Sequence, residues 1–146
     1  MVEIDEICVC KSPAFWLWII VSRLTGLVLG FSLGTREDKM LKLAWGDVPL
    51  DYHDKPIKTD GWEAYPRFFT LGNGFTVGQH EICEKGSGGT SCVESWNTKW
   101  RQRQSGLVRR SCGVSHAIHA DIIERFMILV EVHNLACIRK VQAKKT

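Results

Sequence analysis

Residues Phe15 to Gly34 read FWLWIIVSRLTGLVLGFSLG and form the most apolar stretch of the chain. A membrane-spanning helix needs about 20 such residues, so the length alone fits one span. The internal residues do not: Arg23 lies near the middle, followed by Gly26 and Gly30. A central Arg costs about 2.5–3.5 kcal/mol on insertion, so the stretch is better read as two buried strands. The polar turn Ser22-Arg23-Leu24-Thr25-Gly26 joins them. Upstream, residues 2–10, VEIDEICVC, are rich in β-branched residues and Cys and read as another strand. Three successive strands at hairpin spacing make an antiparallel meander.

Working outward, Glu37 to Trp45 brings Met40, Leu41, Leu43 and Ala44 into a short amphipathic helix, which GDVPLDYHDKP then ends. This helix is a crossover to a short strand over Pro56 to Thr59, which meets Asp60-Gly61. The segment from Gly61 to Gly89 holds seven of the 13 glycines and is expected to be loop-rich. It contains neither G-x-x-x-x-G-K-[ST] nor G-x-G-x-x-G, so no nucleotide-cradling loop is supported. Ser91 opens a long helix on which Val93, Trp96, Trp100 and Leu107 share a buried stripe, while Glu94, Asn97 and Arg101 fall on an adjoining polar face. A last helix over about Ile118 to Cys137 keeps Ile122, Phe126, Leu129, Val130 and Cys137 on one side. The pattern predicts a mixed α/β domain over residues 1–137, with a frayed basic tail at 138–146.

A chain of 146 residues, 45% hydrophobic and 24% charged, fits one folded domain and excludes disordered, collagen-like and coiled-coil classes. The net charge of +3 is uneven: residues 1–60 carry 7 Lys/Arg against 9 Asp/Glu, and residues 61–146 carry 12 against 7. That asymmetry suggests a polyanionic partner. The six cysteines lack zinc-ribbon spacing, and reduced thiols are expected. A composite zinc site from Cys112, His116 and His119 is the lesser alternative. The acidic N-terminus has no basic flank or cleavage site for export, so a cytoplasmic location and no membrane partner are expected.

Three acids carry the chemical reading: Asp5 inside the first strand, Asp60 after the short strand, and Glu94 in the first turn of the tryptophan helix. Each also has an ordinary role open to it. Asp5 fits an exposed strand face, Asp60 fits a turn, and Ser91-x-x-Glu94 fits a capping box.

Three strings around these acids resemble the DDE transposases of bacterial and archaeal insertion sequences, most closely the IS-one group. Val2-Glu3-Ile4-Asp5-Glu6 is similar to that family's V-E-x-D-E strand, and Thr59-Asp60-Gly61-Trp62-Glu63-Ala64-Tyr65 to its [ST]-D-G-W-x-x-Y block. Val93-Glu94-Ser95-Trp96-Asn97, then Arg101-Gln102-Arg103 and Leu107-Val108-Arg109-Arg110, is similar to its I-E-R-x-N-x3-R-x-R-x3-L-x-R-[KR] block. The strings occur in family order, and the resemblance covers residues 2 to about 135. Ser95 departs from the family's usual Arg, and Trp96 and Trp100 stand where Phe and Leu are commoner.

The resemblance implies an RNase H-like α/β fold: three antiparallel strands, a crossover helix, then parallel strands, flanked by helices. It implies metal-dependent DNA cleavage and strand transfer, with Asp5, Asp60 and Glu94 as the catalytic carboxylates. In-line displacement at a phosphodiester needs two divalent cations about 3.5–4 Å apart, held by hard oxygen ligands, so two Mg²⁺ or Mn²⁺ ions are expected. Asp5 and Asp60 would be the central ligands and Glu94 would complete the second position. Residues Ser95 to Ala120 hold five Lys/Arg and no Asp/Glu, which favours DNA backbone contact. Asn97 and Arg101 are expected near the scissile phosphate, and Arg103, Arg109 and Arg110 along the backbone. Trp62 and Tyr65 are read first as core aromatics and second as a stacking platform for a DNA end. The partners implied are element ends, target DNA and further copies of the chain, with association to the nucleoid. An upstream DNA-binding part is also implied, so the chain is expected to be a catalytic half or a remnant of one. A non-transposing nuclease is the other enzymatic alternative.

Overall fold

The computed structural model describes residues 1–11, 14–70, 79–110 and 116–144, with the backbone alone for residues 10, 11, 103–110 and 116–121. Strands β1 (Val2–Lys11), β2 (Ala14–Ser22) and β3 (Val28–Gly34) form the expected antiparallel meander. Helix α1 (Asp38–Gly46) crosses over to β4 (Ile57–Thr59), which pairs parallel with β1. Strand β5 (His80–Ile82) pairs parallel with β4. The sheet order is β3-β2-β1-β4-β5, so the chain is α/β with a five-stranded mixed sheet.

This order explains the membrane-like look of Phe15 to Gly34. Strand β2 lies inside the sheet with both faces covered, and Leu17 to Val21 are each 0% exposed. A strand buried on both faces loses the alternation of polar and apolar residues and reads as an unbroken apolar run. Among the described residues no helix is long and apolar enough to cross a membrane.

Helices cover both faces. Val2 and Ile4 of β1, with Trp18 and Ile20 of β2, pack against α1 and against α2 (Ala64–Thr70). Ile7, Val9, Leu17, Ile19 and Val21 point the other way, onto α3 (Ser91–Arg110) and α4 (His116–Ala143). On α3 the expected stripe is buried at Val93, Trp96 and Trp100. Gly30 is required where α1 meets β3, because a Cβ there would stand 2.2 Å from the Ala44 carbonyl oxygen. Gly26 has φ +73°, which closes the β2–β3 turn in a conformation that side chains disfavour. Strand β3 is a sheet edge, and α4 satisfies part of it: Asn134 accepts from the Val28 N–H and donates to the Val28 carbonyl, both at 2.9 Å.

Two readings are corrected and one is filled in. The segment from Gly61 to Gly89, expected to be loop-rich, also holds α2 and β5. Both are short, and the glycines around them masked the signal. Helix α4 begins at His116 and continues to Ala143, so Arg139 to Ala143 are helical rather than frayed. The Ser91-x-x-Glu94 capping box does not form, for a reason that lies in β1.

Candidate functional site

Alternation along β1 turns Glu3, Asp5, Ile7 and Val9 toward α3, while Val2, Ile4 and Glu6 face α1 and α2. The parallel register pairs Val2 with Ile57 and Glu3 with Lys58. Carried two residues further, it brings Asp5 beside Asp60 on neighbouring strands. Asp60 follows the end of β4 and accepts the Trp62 N–H at 3.0 Å, so its carboxylate also builds the turn. Glu94 stands in the first turn of α3. All three acids line one open cleft of about 740 Å³, together with Glu6, Lys85, Thr90 and Arg101.

Asp5 is the most constrained of the three. Its Oδ1 accepts the Glu6 N–H at 2.9 Å, and its Oδ2 accepts from Asn97 Nδ2 at 2.6 Å. Asn97 is 4% exposed, one turn beyond Glu94, and its own Oδ1 has no hydrogen-bond partner among the described residues. Burial, then the charges of Glu6 and Asp60 and a smaller push from Glu94, raise the Asp5 carboxyl to about 7. The desolvated site crowds negative charge and holds Asp5 near half-protonation at neutral pH.

Glu3 sets where α3 begins. It is 0% exposed, and its Oε2 accepts the N–H groups of Cys92 at 2.8 Å and Val93 at 2.9 Å. These are first-turn amides that a capping side chain would ordinarily satisfy. The Thr90 hydroxyl, next to the helix start, instead donates to Glu94 Oε1 at 2.8 Å. The cap of α3 therefore comes from a strand about 90 residues earlier in the chain, a distance no local spacing rule reaches. Arg23 closes the arrangement, with Nη1 3.2 Å from Glu3 Oε1 and donating to the Gly89 carbonyl at 2.9 Å. The Arg that argued against a membrane span thus neutralises a buried carboxylate.

On the opposite face, Glu6 accepts from Arg36 Nε at 3.1 Å and Nη2 at 2.5 Å, and from the Tyr65 hydroxyl. Burial raises the Glu6 carboxyl, opposed by its bonds to Tyr65 and Arg36. The Arg36 guanidinium lies between the rings of Trp16 at 4.4 Å and Trp62 at 4.3 Å. Tyr65 is fully buried and belongs to the core, while Trp62 is half-buried against Arg36 and Trp18.

Of the expected site residues, the structure brings Asp5, Asp60, Glu94 and Arg101 to one cleft and places Asn97 beneath Asp5. Arg101 is exposed. The side chains of Arg103, Arg109 and Arg110, and the composite Cys112, His116 and His119 group, lie outside the described residues. Among the described residues, Cys8, Cys83, Cys92 and Cys137 form no disulfide. Among the described residues no three His, Cys, Asp or Glu side chains stand close enough together to hold one ion. Each acid is turned to its own partner: Asp5 to Asn97, Asp60 to the Trp62 N–H, and Glu94 to Thr90. Glu3, Glu6 and Thr90 were not singled out for these roles from sequence. The one readable signal was Glu3, two residues from Asp5 and so on the same strand face. No protein-family model matches the chain, and no curated protein matches it.

Proposed function

We propose that the chain is an RNase H-like catalytic domain of a DDE-type DNA transposase, acting on phosphodiester bonds in a metal-dependent reaction. The observation that carries this reading is the convergence of Asp5, Asp60 and Glu94, from two adjacent parallel strands and a helix start, on one cleft. The sheet order supports it, with an antiparallel meander followed by parallel strands on the β1 side.

The donor chemistry fits divalent cations. Three carboxylates supply hard oxygen ligands suited to Mg²⁺ or Mn²⁺, and a cation there would offset the burial of Asp5 and the charges of Glu6, Asp60 and Glu94 around it. Asp5 and Asp60 would be shared ligands, and Glu94 would join them after turning from Thr90. When bound, such ions activate the attacking hydroxyl and stabilise the leaving oxygen. Asn97 holds the Asp5 carboxylate in a single orientation, and Glu3 fixes the first turn of α3 and with it the position of Glu94. Arg101 on the cleft rim supplies a cation for the DNA backbone, on a helix whose sequence carries further arginines at 103, 109 and 110.

A second reading, DNA binding without cleavage by a transposase remnant, is favoured by the separate partners of the three acids. One assay separates the two. Purified protein is incubated with terminal-repeat DNA and Mg²⁺ or Mn²⁺, beside Asp60→Asn and Glu94→Gln. Nicking abolished in both variants supports the catalytic reading. Nicking retained in both refutes the site, and binding without cleavage in any form supports the remnant over a catalytic domain that acts by itself.

A further inference from the structure

Strand β1 runs on to Lys11 while β4 stops at Thr59, so the cleft opens past the end of β4 and takes in Glu6 as well as Asp5. Glu84 also lines it but is exposed, whereas Glu6 is buried, next to Asp5 in sequence and near enough to Asp60 for that charge to act on it. A glutamate so placed is a ready fourth ligand for any cation the three acids hold. Both of its oxygens are already engaged, Oε1 by Arg36 Nε and Nη2 and Oε2 by the Tyr65 hydroxyl.

Arg36 is held in turn. Its side chain is 39% exposed, and an ion pair this open to water is weak when the cation is free to move. The rings of Trp16 and Trp62 on either side of the guanidinium remove that freedom. The backbone behind it is tied as well, since Trp18 Nε1 donates to the Thr35 carbonyl at 3.0 Å.

We propose that Arg36 is a positioning residue that keeps Glu6 out of the cation ligand set and so suits the cleft to Mg²⁺ or Mn²⁺ rather than Ca²⁺, an inference that rests on reading the cleft as a divalent-cation site. Mg²⁺ keeps several waters in a strict octahedron, whereas Ca²⁺ takes six to eight oxygens in a looser shell. A fourth carboxylate therefore favours Ca²⁺, and it fills positions that a substrate phosphate and water would need.

The full chain without DNA is titrated with MnCl₂, followed by electron paramagnetic resonance, and with CaCl₂ in competition; water-proton relaxation counts the waters on bound Mn²⁺. In Arg36→Gln the affinity for Ca²⁺ relative to Mn²⁺ is expected to rise about tenfold, and bound Mn²⁺ to lose one water. Adding Glu6→Gln should restore both. Glu6→Gln alone, which changes no volume, should match the parent in ratio and water count; an extra water on Mn²⁺ there shows that Glu6 already ligates, and overturns the proposal even if Arg36→Gln does not fold. An equal rise for both ions with an unchanged water count means that Arg36 acts by its charge alone, and overturns it too, as does an Arg36→Gln variant identical to the parent. A parent chain that binds neither ion refutes the cation reading of the cleft itself, and the proposal with it.

Discussion

Replacing Glu3 tests whether a carboxylate from β1 holds the start of α3. In Glu3→Ala the Cys92 and Val93 amides lose their acceptor in a buried setting, and each orphaned N–H costs about 1–3 kcal/mol. Relief of burying a carboxylate offsets part of this, and Arg23 returns to water because its side chain is 40% exposed. The expected loss is about 3 kcal/mol of folding stability. Glu3→Gln keeps one carbonyl oxygen for both amides but loses the charge facing Arg23, and should cost about 1 kcal/mol. Urea unfolding followed by circular dichroism gives both values, provided the slope against denaturant is unchanged. Hydrogen exchange at the Cys92 and Val93 amides should accelerate in the Ala variant and change little in the Gln variant. An Ala variant within about 0.5 kcal/mol of the parent, with those amides still protected, would falsify the cap.

Asp5 has a folded pKa of about 7 against an ordinary 3.8, so its ionisation opposes folding increasingly from about pH 4 to pH 7 and fully above. In EDTA, Asp5→Asn should therefore gain about 1–3 kcal/mol relative to the parent between pH 5 and pH 8, and a difference flat with pH would contradict the crowding. Gly30→Ala forces a Cβ onto the Ala44 carbonyl and should cost about 2–3 kcal/mol in thermal melts, whereas Gly46→Ala, with nothing within 4 Å, should be neutral or slightly stabilising. If the cleft binds DNA, Arg101→Ala should lower the slope of log affinity against log salt by about 1, measured by fluorescence anisotropy.

Strand and helix identity was legible wherever the hydrophobic period ran long enough: the three N-terminal strands, α1, α3 and the body of α4 all sit close to their expected bounds. Two of the misses share a cause. Helix α2 and β5 are each under eight residues, too short for periodicity to rise above the surrounding glycines. The basic composition after Cys137 reads as a tail, yet the helix continues through it to Ala143. The three acids could be named from their local strings. Their common cleft depends on the β1–β4 register, which no local string specifies. Asn97 shows the limit most clearly. Helical geometry assigned it to the polar face with Glu94, but that face meets Asp5 of the sheet, so the amide is spent inside the protein. Glu3 and Arg23 are 20 residues apart, and only the folded turn reveals them as an ion pair.

The spacing of the cleft acids along the chain also orders events during folding. The meander of β1, β2 and β3 needs only local closures and is available as soon as the first 34 residues exist. Asp5 acquires Asp60 only when the crossover closes, and Glu94 only when α3 settles on Glu3, with loop-closure entropy opposing each step. A nascent or partly folded chain therefore carries the strand with Asp5 but no assembled carboxylate cluster. Whatever the cleft does, it can begin only after the α3 segment has docked, which makes the site a late product of folding rather than a property of its first strand.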